Sequence, residues 1–138
     1  MVQFNDRSTG KMVTLGANIP KEDAHHHVDV LGNIAYQYRL ASSLGDKAPT
    51  TVLDHLDTAR NAALSSVVAH SAGNMISAQA NMHSAAAYSK IAAESLGISN
   101  GATPEVQQSQ NLANSSADAN DNYMRETGGT GYSVGRFN

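Results

Sequence analysis

The chain has 138 residues, 15% of them charged, a net charge of −3 and no cysteine or tryptophan. That length suits one domain, the missing cysteines exclude a disulfide framework or a thiolate metal site, and the scattered Lys and Arg exclude a basic nucleic-acid footprint. Ile, Leu, Val and Phe reach only about 18% of the chain, near the level at which disorder sets in, yet the net charge is too low for a solvated coil. Tight packing of small residues within an oligomer is the expected resolution. The opening MVQFNDRSTGKMV has no basic segment followed by an apolar run, so no secretory signal is expected.

Residues 1–19 read as an N-terminal arm. Val2 and Phe4, then Met12 or Val13 and Leu15, flank the turn-rich NDRSTG, which predicts an extended segment or a short β-hairpin. An isolated hairpin is marginal in water, so a neighbouring surface is expected to hold it. Residues 20–126 form the predicted helical domain, punctuated by Pro20, Pro49 and Pro104, each opening a helical pattern.

The first helix is predicted over 21–44, with Glu22 and Asp23 near its positive end and Gly45 as its stop. Val28, Leu31, Ile34, Ala35, Tyr38 and Ser42 share one side at helical spacing. His25, His26 and His27 are the chain's most conspicuous donors. Glu22, His25 and His26 are the candidate metal ligands, but a helical di-metal site needs two Glu-x-x-His motifs and only one is present. Adjacent helical positions also point about 100° apart. No metal and no cofactor is therefore expected.

The second helix is predicted as one long element over 50–96, with Asp54 and Asp57 near its start and Gly97 as its stop. Leu53, Leu56, Leu64, Val67, Met75, Met82 and Leu96 form a single stripe that should bind Leu31, Ile34 and Tyr38 of the first helix in an antiparallel hairpin, since the connection at 45–48 is short. Beside it runs a ridge of small residues at i+4 steps: Ser65, Ala69, Gly73, Ser77, Asn81, Ala85, Ser89 and Ala93. Such a ridge lets a second backbone approach closely, and it is the expected self-assembly surface. Gly73 is also a place where the helix could kink. From Asn61 to Ser89 there is no Asp, Glu, Lys or Arg. A helix of that length is roughly 44 Å long, too long for so small a protein to cover, so other copies of the chain are expected to cover it.

The third helix is predicted over 104–126, with Thr103 as N-cap and Glu105 in the first turn. Residues 127–138 read as a flexible, glycine-rich C-terminal tail, in which Tyr132, Arg136 and Phe137 are candidates for docking into a partner. The fold expected is thus all-α: a long antiparallel helical hairpin plus a third helix, with an arm and a tail.

No nucleophile, phosphate-loop or acid-pair motif points to an enzyme. His55, His70 and His83 share no face and are expected to be hydrogen-bonded within packed interfaces. Without a run of eighteen apolar residues, membrane contact is expected only for an assembled oligomer. The long Ala/Ser/Asn/Gln-rich helices, low charge and glycine-rich ends, above all over 50–126, resemble the small internal virion and ejection proteins of short-tailed phages. That resemblance implies a homo-oligomeric ring or tube, located in the virion and then in the host envelope, with portal or tail components as partners and a part in DNA ejection. A head–tail adaptor and a secreted helical component of a bacterial export apparatus are the alternatives.

Overall fold

In this computed structural model, residues 2–6, 11–15 and 21–138 are described, with side chains from His25 onward. Val2–Asp6 (β1) and Lys11–Leu15 (β2) run antiparallel with Val2 opposite Leu15. The rest of the expected arm lies outside the described residues. From Lys21 onward the chain is all-helical, with four helices: α1 (Lys21–Ser43), α2 (Thr50–Ser71), α3 (Met75–Asn100) and α4 (Pro104–Thr127).

The expected helix over 50–96 is two helices, and the residues at 72–74 explain the break. Gly73 takes φ +79°, a left-handed conformation that costs other residues a Cβ clash. Its N–H donates to the His70 carbonyl at 3.0 Å and the Asn74 N–H to the Ala69 carbonyl at 2.9 Å, the paired bonds of a Schellman motif. Asn74 then caps α3, its side-chain oxygen accepting from the Ser77 N–H at 3.2 Å. One Gly-Asn pair thus ends a helix and starts the next. The other stops also follow backbone chemistry. Gly45, at φ +56°, follows α1, and Gly101, at φ +72°, follows α3. Gly97, the expected stop, lies inside α3. Because α2 begins at Thr50, Asp54 and Asp57 fall beyond its first turn. Thr103 does cap α4, its side chain accepting from the Val106 N–H at 3.2 Å.

Short connections make each helix antiparallel to the one before it, and α4 closes the ring by packing on α1 as well as α3. Leu31, Ile34, Leu56, Val67, Met82 and Leu96 are buried, with Tyr38, Leu53, Leu64 and Met75 packed at the margin. The expected stripe is therefore folded onto itself. Its α2 half and its α3 half face the same interior because the turn at Gly73 reverses the chain.

Alanine fills most of what remains. Ala59, Ala63, Ala78, Ala85, Ala86 and Ala93 are fully buried, so backbones approach closely and few large residues are needed. Each fully buried Leu, Ile or Met contributes about 1.5–3 kcal/mol. The shortage of such residues is compensated by polar links between helices, which hold this lean interior in register. This corrects the expectation about the uncharged stretch: Asn61–Ser89 is covered mainly by its own chain, with Ala63, Ser66, Val67, Ala78, Met82, Ala85 and Ser89 all inside the ring.

Candidate functional site

The polar links run through the ring from one end to the other. Midway, Gln37 is fully buried and its amide donates to the Ser89 carbonyl at 3.1 Å and the Ser109 hydroxyl at 3.3 Å, while the Ser89 hydroxyl donates back to the Gln37 carbonyl oxygen. Asn33 donates to Ser116 at 3.1 Å. These bonds tie α1 to α3 and α4.

At the end where α1 begins and α4 finishes, the histidines gather around Tyr123, which is fully buried. The Tyr123 hydroxyl lies 2.6 Å from His70 Nδ1, and its ring meets those of His27 and His70 at 4.9 and 5.7 Å between centroids. His27 Nε2 is 2.8 Å from the Ser66 hydroxyl, which itself donates to the Ala78 carbonyl at 2.7 Å. The Ser66 proton is thus committed to a carbonyl, and His27 donates to the serine oxygen. That is the reverse of an activated nucleophile, which must give its proton to the imidazole. Ser66 is also sealed from solvent. The pair is a structural clasp.

His26 and His25 lie just outside this cluster. His26 is 3% exposed, and its Nε2 sits 2.9 Å from the Glu126 carboxylate, which comes from the last turn of α4. The His25 and His26 rings lie 3.9 Å apart. Their backbone directions diverge as helical geometry requires, but side-chain rotation brings the rings together. Among the described residues Glu126 places a carboxylate beside His26 and Asp29 places one near His25, and the side chain of Glu22 lies outside those residues. Sequence spacing could not have found Glu126, which stands 100 positions from His26.

His83 and His55 lie elsewhere. His83 Nδ1 donates to the Tyr132 carbonyl at 3.0 Å, and His55 stands against the Tyr88 ring.

The tail occupies a groove on its own chain. Asn120 donates to the Tyr132 carbonyl at 2.7 Å, and the Phe137 N–H donates to Asn114 at 2.6 Å. Val134 is buried against Ala86 and Ala117, where two small residues open the seam between α3 and α4. Arg136 pairs with Asp118, and that hydrogen bond and charge raise the guanidinium pKa. Lys90 lies 5.6 Å from the Phe137 ring. In this structure Tyr132, Arg136 and Phe137 lie along the seam between α3 and α4 of their own chain. Gly129 allows the chain to enter it, because a Cβ there would fall 2.8 Å from Met124 Sδ and 2.9 Å from Gln79 Cδ.

The expected self-assembly ridge divides in two. Ala85, Ser89 and Ala93 are fully buried within the chain, because this part of α3 faces the ring interior. Ser65, Ala69, Ser77 and Asn81 instead line an open groove between α2 and α3, with Gly73 exposed at its end. At that same end Val68 is 67% and Ile76 79% exposed. At the opposite end of α3, Ile98 is 88% exposed beside a cavity lined by Gly97, Thr103, Pro104, Val106 and Phe137. The molecule therefore carries apolar surface at both ends of one helix.

No known family model matches this chain, and no curated protein or solved structure is significantly similar to it. Among the described residues, no helix is long and apolar enough to cross a membrane.

Proposed function

We propose that this protein is a non-enzymatic structural subunit that assembles head to tail, one end of the bundle seating on the other end of the next copy. The observation that carries this is the placement of the exposed aliphatic residues. Ile76 and Val68 stand at one end and Ile98 at the other, roughly 33 Å apart along α3. A single apolar patch would serve a two-fold dimer. Two different patches at opposite ends favour a heterologous contact, which closes into a ring or continues as a tube.

The groove between α2 and α3 supports the same reading. It is lined by Leu64, Ala69, Ser and Asn residues without a charge, so a second copy can cover it without burying an unpaired ion. Compositional resemblance to small internal and ejection proteins of short-tailed phages supports a virion setting for the assembly, with portal or tail proteins as partners and membrane contact reserved for the assembled form. Nothing in this role requires a cofactor or sequence-specific DNA binding.

Electron imaging of the purified protein tests the reading. Closed rings or tubes are the expected result, and a field of isolated bundles contradicts it. Peptide mass spectrometry of purified virions tests the setting, with the protein expected among the particle components.

A further inference from the structure

We propose that His25, His26 and Glu126 form a binding site for a divalent transition metal of the zinc class, which staples the start of α1 to the end of α4. The ligand atoms of the three side chains already lie within 4.8 Å of one another. Zinc holds nitrogen and carboxylate ligands at about 2.0–2.2 Å, which places neighbouring donors roughly 3.3–3.5 Å apart. Closing the set therefore needs only side-chain rotation. His25 and Glu126 supply it from partly exposed side chains, 58% and 45% exposed, while His26 is fixed by burial.

The surroundings fit a ligand set. Asp29 places a carboxylate oxygen 3.8 Å from His25 Nδ1, one turn along α1. A short swing lets it hold that ring through Nδ1–H and leave Nε2 as the donor, the carboxylate–histidine–metal arrangement that orients metal-binding imidazoles. The edge of Tyr123, 6.3 Å from His26 between ring centroids, braces the second ring. Two imidazoles and one carboxylate suit zinc, nickel or copper, whereas magnesium and calcium prefer an all-oxygen shell. With three ligands at a solvent-facing edge, water completes a tetrahedral zinc site. The metal lies beside the end bearing Val68 and Ile76, so its binding rigidifies the surface on which the next copy seats.

The test uses full-length protein without a histidine tag, stripped with chelator and titrated calorimetrically with zinc sulfate. One zinc per chain is expected, with no binding of magnesium and a higher thermal midpoint with zinc than without. His25→Ala and Glu126→Gln each weaken zinc binding tenfold or more, and Asp29→Asn weakens it about tenfold. His55→Ala, near the opposite end of α2 against Tyr88, leaves it unchanged. All four variants keep the metal-free circular dichroism spectrum, because the changed side chains are at least partly exposed. Cobalt supplies an independent signature: visible absorption bands of tetrahedral strength appear with the wild type and are lost in His25→Ala. Failure to bind zinc stoichiometrically overturns the proposal, as does zinc binding that survives both His25→Ala and Glu126→Gln.

Discussion

Gln37 shows how single side chains stabilise a core this poor in large apolar residues. Its amide is satisfied by groups from α3 and α4. Replacing it with Leu leaves the buried Ser89 and Ser109 hydroxyls short of a partner, at a cost of about 2 kcal/mol. Urea unfolding is expected to show that loss as a lower midpoint with an unchanged slope. Gly73 makes a complementary case at the surface. Its φ of +79° means Gly73→Ala costs about 1 kcal/mol, although nothing stands within 4 Å of the added Cβ. At this scale the sequence identified the right residue types but not their partners. His70 and His83 were legible as hydrogen-bonded polar groups, whereas their links to Tyr123 and Tyr132 depend on long-range packing that no local spacing records.

At the scale of elements, the helices at 21–43 and 104–127 followed from proline starts, the Thr103 cap and apolar spacing. The long second helix did not. Ala, Ser, Asn and Met keep a helical period straight across Gly73, so periodicity alone reads one rod. The decisive signal was local: glycine, able to turn left-handed, followed at once by asparagine, able to cap. Folding the rod at that point sends half of the small-residue ridge inside and leaves the other half outside. A pair of substitutions separates the two halves. Ser89→Leu overfills a closed interior and is expected to destabilise the protein by about 1–3 kcal/mol, read in thermal or urea unfolding. Ser65→Leu, on an exposed position of α2, is expected to leave stability within about 0.5 kcal/mol. Equal effects at the two sites contradict the ring arrangement.

Across the whole molecule, an uncharged stretch of chain does not require neighbours when it can double back upon itself. The chain supplies most of its own cover: α2 packs along α3, the two remaining helices complete the ring, and the tail lies along the α3–α4 seam. Among the described residues, the large aliphatic side chains left exposed are Val68 and Ile76 beside the groove between α2 and α3, Ile91 further along α3 and Ile98 at its far end. The sequence revealed the lack of charge, but only the fold shows where that neutral surface emerges, because residues near the Gly73 turn line the open groove while those further along α3 face the interior. The head-to-tail contact is tested most directly by sedimentation velocity on Ile76→Asp and Ile98→Asp, alone and mixed in equal amounts. Each variant retains one intact end, so each alone is expected to be a folded monomer. The mixture is expected to yield a dimer through the two intact ends. Wild-type protein that stays monomeric at every concentration, or a mixture that stays monomeric, contradicts the account.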